Sequence, residues 1–78
     1  MNKFIIKHKT AFIEYTCGYI ATKINTKKKL FSTTYELELL PDNISKNKIE
    51  CSSYEEASRY AGIVYDAIKN NRTLIELK

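Results

Sequence analysis

The sequence predicts an α+β domain: a two-layer sandwich in which one amphipathic helix lies across a mainly antiparallel sheet of four to five strands, in the order β-β-β-(β)-α-β. Three observations predict it. Residues Ser52 to Asn70 read as one capped helix with an apolar stripe. Nearly everything before that helix alternates with the period of two that a half-buried strand requires, most clearly in LFSTTYELELL from Leu30 to Leu40. A sheet with one apolar face needs a covering layer, and the helix supplies it.

The strands follow in order. KFIIKH, from Lys3 to His8, sets Phe4 and Ile6 on one side and Ile5 on the other, which makes a short first strand. AFIEYTC, from Ala11 to Cys17, aligns Ala11, Ile13, Tyr15 and Cys17 opposite Phe12, Glu14 and Thr16. Gly18 interrupts it, and YIATKIN resumes with Ile20, Thr22 and Ile24 on a common face. An unbroken strand from Ala11 to Asn25 would span about 50 Å at about 3.3 Å per residue, too long for so small a domain, so Gly18 reads as a bulge or turn. Asn25, Thr26, Lys27 and Lys28 read as a polar break and a hairpin loop. Beyond them Phe31, Thr33, Tyr35, Leu37 and Leu39 line the covered face, with Ser32, Thr34, Glu36 and Glu38 on the open one. Pro41-Asp42-Asn43 stops this strand, and the segment to Asn47 reads as loop or a single helical turn. Lys48 to Cys51 is either loop or a short strand with Ile49 and Cys51 inward.

Ser53 stands three residues before Glu56, the spacing of a capping box, which Ser52 with Glu55 fits equally. At 100° per residue, Ala57, Ala61, Val64 and Ile68 fall on one line, flanked by Tyr54 and Tyr65 on one side and by Tyr60 and Ala67 on the other. Gly62 sits on the polar side with Glu55, Arg59, Asp66 and Lys69. A glycine there costs about 0.8–1 kcal/mol against Ala, which either a close neighbouring backbone or a tolerant site explains. Asn70-Asn71 ends the helix, and TLIELK supplies a last strand, placed at a sheet edge or paired with a second copy of the chain as a homodimer.

Residues 1–78 make one domain, 44% hydrophobic, without Trp and with six Tyr. At this size folding buries only about 60–65% of the unfolded surface, so stability is modest or completed by a partner. The net charge of +4 is uneven. Lys3, Lys7, Lys9, Lys23, Lys27, Lys28 and Lys29 outnumber Glu14, Glu36 and Glu38 in the first half, while the second half balances. Such a field attracts nucleic acid or an acidic protein surface, and it also serves plain solubility. No apolar run reaches the roughly 20 residues of a membrane span, and MNKFIIKHK is too short for a signal peptide. The expectation is a cytoplasmic protein, in the host cell cytoplasm if viral, with no membrane partner and with Cys17 and Cys51 reduced.

A nucleophile needs a base, and His8 is the only histidine. A dyad of His8 with Cys17 or Cys51 has no local motif behind it, and each Cys sits in an apolar alternation that predicts burial. The same residues lack the short spacings of a zinc site, and no glycine-rich loop exists to cradle phosphate. Glu36 and Glu38 read as solvated, and Glu55 and Glu56 as first-turn helix residues. The chain therefore reads as non-enzymatic, without metal or cofactor. Binding remains, with Tyr15, Tyr19, Lys23, Lys27, Lys28 and Arg59 as the expected contact surface, and Lys29 beside them. Tyrosine and arginine favour protein interfaces, and the same lysines and tyrosines suit phosphates and stacked bases.

The Lys-, Asn- and Ile-rich composition and short length resemble the small accessory proteins of phages and other mobile elements. Lys3-Phe4-Ile5, Thr10-Ala11 and Tyr15 resemble, in the same spacing, the opening of the type I-F anti-CRISPR proteins, where strands also lead into a Ser/Thr-capped helix with a first-turn Glu, comparable to Ser53 and Glu56. This chain departs from that pattern by a longer middle, around Leu37 to Lys48, and by ending in TLIELK. The resemblance implies a phage-type inhibitor that binds and blocks a host macromolecular machine, a protein or ribonucleoprotein such as a CRISPR defence complex. Lys48 to Ile68 is also similar to the last strand and helix of AP2 and integrase-arm DNA-binding domains, without the Trp and Arg residues their sheets present. That similarity implies the alternative, a small basic DNA- or RNA-binding module. The strand, strand, helix, strand ending is similar as well to small phage antitoxins that block a host RNase.

Overall fold

The alternating segments assemble into two separate sheets in the computed structural model, which describes residues 2–18, 20–40 and 47–78, and only the backbone of Asn2 and Cys17. β1 (Asn2–His8) and β2 (Ala11–Cys17) form an antiparallel hairpin, and β6 (Leu74–Leu77) joins the other edge of β1 in parallel. β3 (Ala21–Lys28), β4 (Thr33–Leu40) and β5 (Lys48–Cys51) form an antiparallel meander. The expectation of one sheet of four to five strands is corrected to two sheets of three, ordered β2-β1-β6 and β3-β4-β5. The chain bends at Gly18 between β2 and β3, and β6 returns to β1 rather than to the meander, so among the described residues no ladder joins the halves. The β1–β2 turn is two residues long and holds Lys9 at a φ of 57°, the left-handed region that such turns use and that Gly or Asn enters at lower cost.

α1 (Tyr54–Lys69) begins at Ser53, whose hydroxyl accepts the Glu56 N–H at 3.0 Å, while Glu56 Oε1 accepts the Ser52 N–H at 3.1 Å. Of the two registers the sequence allowed, this is the Ser53–Glu56 one. The helix ends with Asn71 at a φ of 57°, the Asn71 N–H on Ile68 O at 3.1 Å and the Arg72 N–H on Ala67 O at 2.8 Å. That pair of bonds satisfies two terminal carbonyls and turns the chain towards β6.

The helix backbone approaches β3, β4 and β5 of one sheet and β6 of the other. Its buried residues are Ala57, Tyr60, Val64 and Ala67, with Ala61 and Ile68 half-buried and Tyr54 and Tyr65 exposed. The buried face is rotated towards the Tyr60 and Ala67 flank because the β2-β1-β6 sheet supplies a wall there. His8, at the end of β1, meets Tyr60 edge-on with ring centroids 5.4 Å apart. Phe4, Ile6, Tyr15, Ile20, Leu37, Leu39, Ile49, Cys51, Ile75 and Leu77 complete the core. A polar joint ties the two sheets: Leu39 O accepts Tyr15 Oη of the other sheet at 3.4 Å, and on its own side Leu39 is fixed by Asn47, whose Nδ2 donates to Leu39 O at 3.0 Å and whose O accepts the Leu39 N–H at 2.7 Å. The strand stop at Pro41-Asp42-Asn43 and the segment to Lys46 lie outside the described residues. No helix among the described residues is long and apolar enough to cross a membrane.

A Cβ at Gly62 would meet no atom within 4 Å, so no other part of the described chain requires a glycine there. The variant Gly62→Ala should therefore gain about 0.8–1 kcal/mol of helix propensity and raise Tm by about 4–8 °C in a thermal melt. A lowered Tm would show that something occupies that space in solution.

Candidate functional site

The β3–β4 hairpin runs beyond the core. The expected polar break at Asn25–Lys28 is instead ladder, since Asn25, Thr26, Lys27 and Lys28 pair with Glu36, Tyr35, Thr34 and Thr33. Polarity there signals a strand solvated on both faces, and every residue from Thr26 to Thr33 is exposed. The chain reverses between Lys29, whose N–H donates to Ser32 O at 2.7 Å, and Ser32, which leaves Leu30 and Phe31 at the apex. Both were expected to start the next strand, with Phe31 on its covered face, yet they are 88% and 93% exposed. Neither has a positive φ, and two-residue turns ordinarily take Gly, Asn or Asp. Nothing in the fold uses these two side chains.

The base of this arm is tied by charge. Asn25 Nδ2 donates to Glu36 Oε2 at 3.0 Å and to Glu38 Oε1 at 2.8 Å, and Lys27 Nζ lies 2.8 Å from Glu36 Oε1. Glu36 is buried, which corrects its reading as a solvated outer-face residue: its neighbours on β3 cover it with matching donors. The Lys27 and then the Asn25 hydrogen bonds hold the Glu36 carboxyl below the usual carboxylate range, against its burial, and the same bond raises Lys27. Lys23, Lys27 and Lys48 alternate on this face with Glu36, Glu38 and Glu50. The basic field expected of the first half is therefore largely cancelled here. Lys28 and Lys29, beside the apex, make no ion pair among the described residues.

The predicted contact residues are not gathered on one surface. Tyr15 is fully buried with its hydroxyl on Leu39 O, so it belongs to the core, a correction of its surface placement. Tyr19 lies outside the described residues. Lys23 is exposed opposite Glu38, Lys27 is in the clamp, and Lys28 is on the arm. Arg59, on the helix, donates Nε to Lys78 O at 2.7 Å, reaches Glu56 Oε2 at 4.0 Å and lies 5.4 Å from the Tyr60 ring centroid. Leu30 and Phe31 escaped notice because Phe31 continues the alternation of the strand that follows.

A groove of about 950 Å³ lies elsewhere, lined by His8, Ala11–Ile13, Thr34, Lys48–Ser52 and Glu56 among others. It brings His8 and Cys51 to one groove, a pairing with no local motif in the sequence. Burial pushes the Cys51 thiol up, with Glu56 adding to it, and Sγ donates to Ile49 O at 3.6 Å. Burial, and next Lys9, lowers His8, so near neutrality the imidazole is uncharged and the thiol protonated. That is the reverse of the thiolate–imidazolium pair that activates a cysteine. His8 Nε2 is buried without a hydrogen-bond partner among the described residues. Among those residues, no three His, Cys, Asp or Glu side chains are grouped to hold a metal ion. A comparison with protein-family models, curated proteins and solved structures finds no match.

Two measurements check these assignments. Glu36→Gln should cost about 1 kcal/mol in denaturant unfolding at pH 7. Because the native carboxyl sits below its unfolded value, that advantage is present above the unfolded value and disappears as pH falls through the native one. The two proteins should therefore converge in acid, and a gap that persists there would refute the clamp. In a Cys17→Ser background, iodoacetamide should alkylate Cys51 more slowly than a free thiol at pH 7, with the rate still rising above pH 9. Fast alkylation at pH 7 would revive a catalytic thiol.

Proposed function

We propose that this is a non-enzymatic binding protein of the phage-inhibitor type, which occupies and blocks a host macromolecular machine in the host cytoplasm, with a CRISPR-type defence complex as the first target to test. The observation that carries the binding role is the arm apex, where Leu30 and Phe31 stand 88% and 93% exposed on an ordered hairpin. Burying each of them in a partner is worth about 1.5–3 kcal/mol, enough to anchor an interface. Lys28 and Lys29 beside them favour encounter with an acidic surface. The Asn25–Glu36–Lys27 clamp fixes the arm before binding, which reduces the ordering entropy that association would otherwise cost. The spacing that resembles anti-CRISPR proteins supplies the choice of target. The nucleic-acid alternative is less well supported, because a phosphate backbone laid on the outer face of the meander would meet Glu36, Glu38 and Glu50.

The test is affinity purification from a bacterium carrying such a complex. Wild-type protein should retain the complex stoichiometrically, and the double variant Leu30→Ser/Phe31→Ser should lose affinity by roughly 30-fold or more, the factor matching about 2 kcal/mol. Equal capture by both proteins or a bare bait at low salt would each overturn the proposal.

A further inference from the structure

We infer that the groove between β2 and β5 takes an extended, uncharged segment of a partner polypeptide, which adds as a strand to the free edges of both sheets. This site goes beyond the arm and stands on separate observations. Among the described residues, β2 is in a ladder only with β1, and β5 only with β4, so Ala11–Ile13 of β2 and the whole of β5 each carry an edge without a ladder partner. The groove is lined by the consecutive residues Ala11, Phe12 and Ile13 of β2 and by Lys48, Ile49, Glu50, Cys51 and Ser52 at β5. Successive residues of a strand point to opposite faces, so a groove that touches all of them runs along the strand edge, where main-chain N–H and C=O groups face outward.

The two edges are not in contact: among the described residues, no Cα of β2 lies within 8 Å of a Cα of β5. Paired strands lie about 4.7–4.9 Å apart, so a strand fitted between two others needs them about 9.5 Å apart. Ile13 and Ile49 offer apolar contact, and Phe12, 64% exposed with Lys7 Nζ 5.8 Å from its ring centroid, forms part of the rim. Lys9 and Lys48 are matched by Glu50 and Glu56, so the complementary segment carries no net charge.

A second copy of the chain is the poorer occupant, because a strand that bridges both sheets needs two free edges and each of the six described strands already has one edge in a ladder. Bound as proposed, the segment joins the two sheets through a shared seventh strand, the strand-addition mode of peptide recognition.

The probe is a phage-displayed library of random octapeptides, panned against the full chain. Enriched sequences should alternate apolar and polar residues without net charge. A synthetic peptide of that sequence should bind one to one and slow amide exchange in β2 and β5 of the wild-type protein. Ala11→Trp, which fills the groove from an exposed position, should weaken it at least tenfold, whereas Leu30→Ser/Phe31→Ser should leave it unchanged even where that variant has lost its host complex. No enrichment, highly charged winners, or protection confined to other elements would overturn the inference, and the exchange map decides on the wild-type chain however the Trp variant folds. Concentration-dependent dimerisation with the same protection would assign the groove to a second copy instead.

Discussion

The relation between the two sheets depends on the helix wedged against them. Among the described residues they share no ladder, and α1 is the one described element whose backbone approaches strands of both. Its composition fits that position. Ala57, Ala61 and Ala67 let the backbone come close, Val64 fills the centre, and Tyr60 reaches His8 on the far sheet. The caps matter for the same reason. Ser53 fixes where the helix begins, directly after β5, and Asn71 fixes the angle at which the chain leaves for β6 and its parallel register with β1. The Tyr15–Leu39–Asn47 joint is a second, polar tie between the same two halves.

A core built this way leaves its margins uncovered. The molecule measures 42 × 22 × 22 Å, and a 16-residue helix is about 24 Å long at 1.5 Å per residue, so it cannot cover the whole length. The β3–β4 arm emerges beyond it. Without an apolar layer beneath, the arm is held by cross-strand pairs and by Glu36, whose burial is tolerable only because Lys27 and Asn25 supply the donors that water would otherwise provide. The free edges of β2 and β5 have the same origin: a single helix covers the faces of two sheets but closes neither edge.

Local pattern made the elements legible and left their assembly illegible. The alternation in Ala11–Cys17, the Ser53–Glu56 spacing and the Asn70-Asn71 stop each express a constraint within one segment, and β2 and the helix formed where those signals stand. The pairing of β6 with β1 is set by residues some seventy positions apart, and no periodicity carries it. Asn25–Lys28 misled for a related reason, since a polar run reads as loop unless the carboxylates that partner it, Glu36 and Glu38, are known to lie opposite. Tyr15 shows the converse: it stands in a good alternation, but whether its face is buried depended on a second sheet. Phe31 looked like core because alternation reports side chains on one face and says nothing of whether that face is covered.

Thr34 links the two uncovered features. It pairs with Lys27 at the foot of the arm and also lines the groove between β2 and β5, so the apolar apex and the open strand edges belong to one continuous side of the molecule. A partner that engages both makes the second contact intramolecularly, at an effective concentration set by the rigid clamp rather than by diffusion. Rigidity of the arm then matters more than its charge. Lys28 and Lys29 speed the encounter and are screened by salt, whereas the geometry that the Glu36 clamp imposes decides whether Leu30 and Phe31 arrive where a strand held in the groove has already placed the partner.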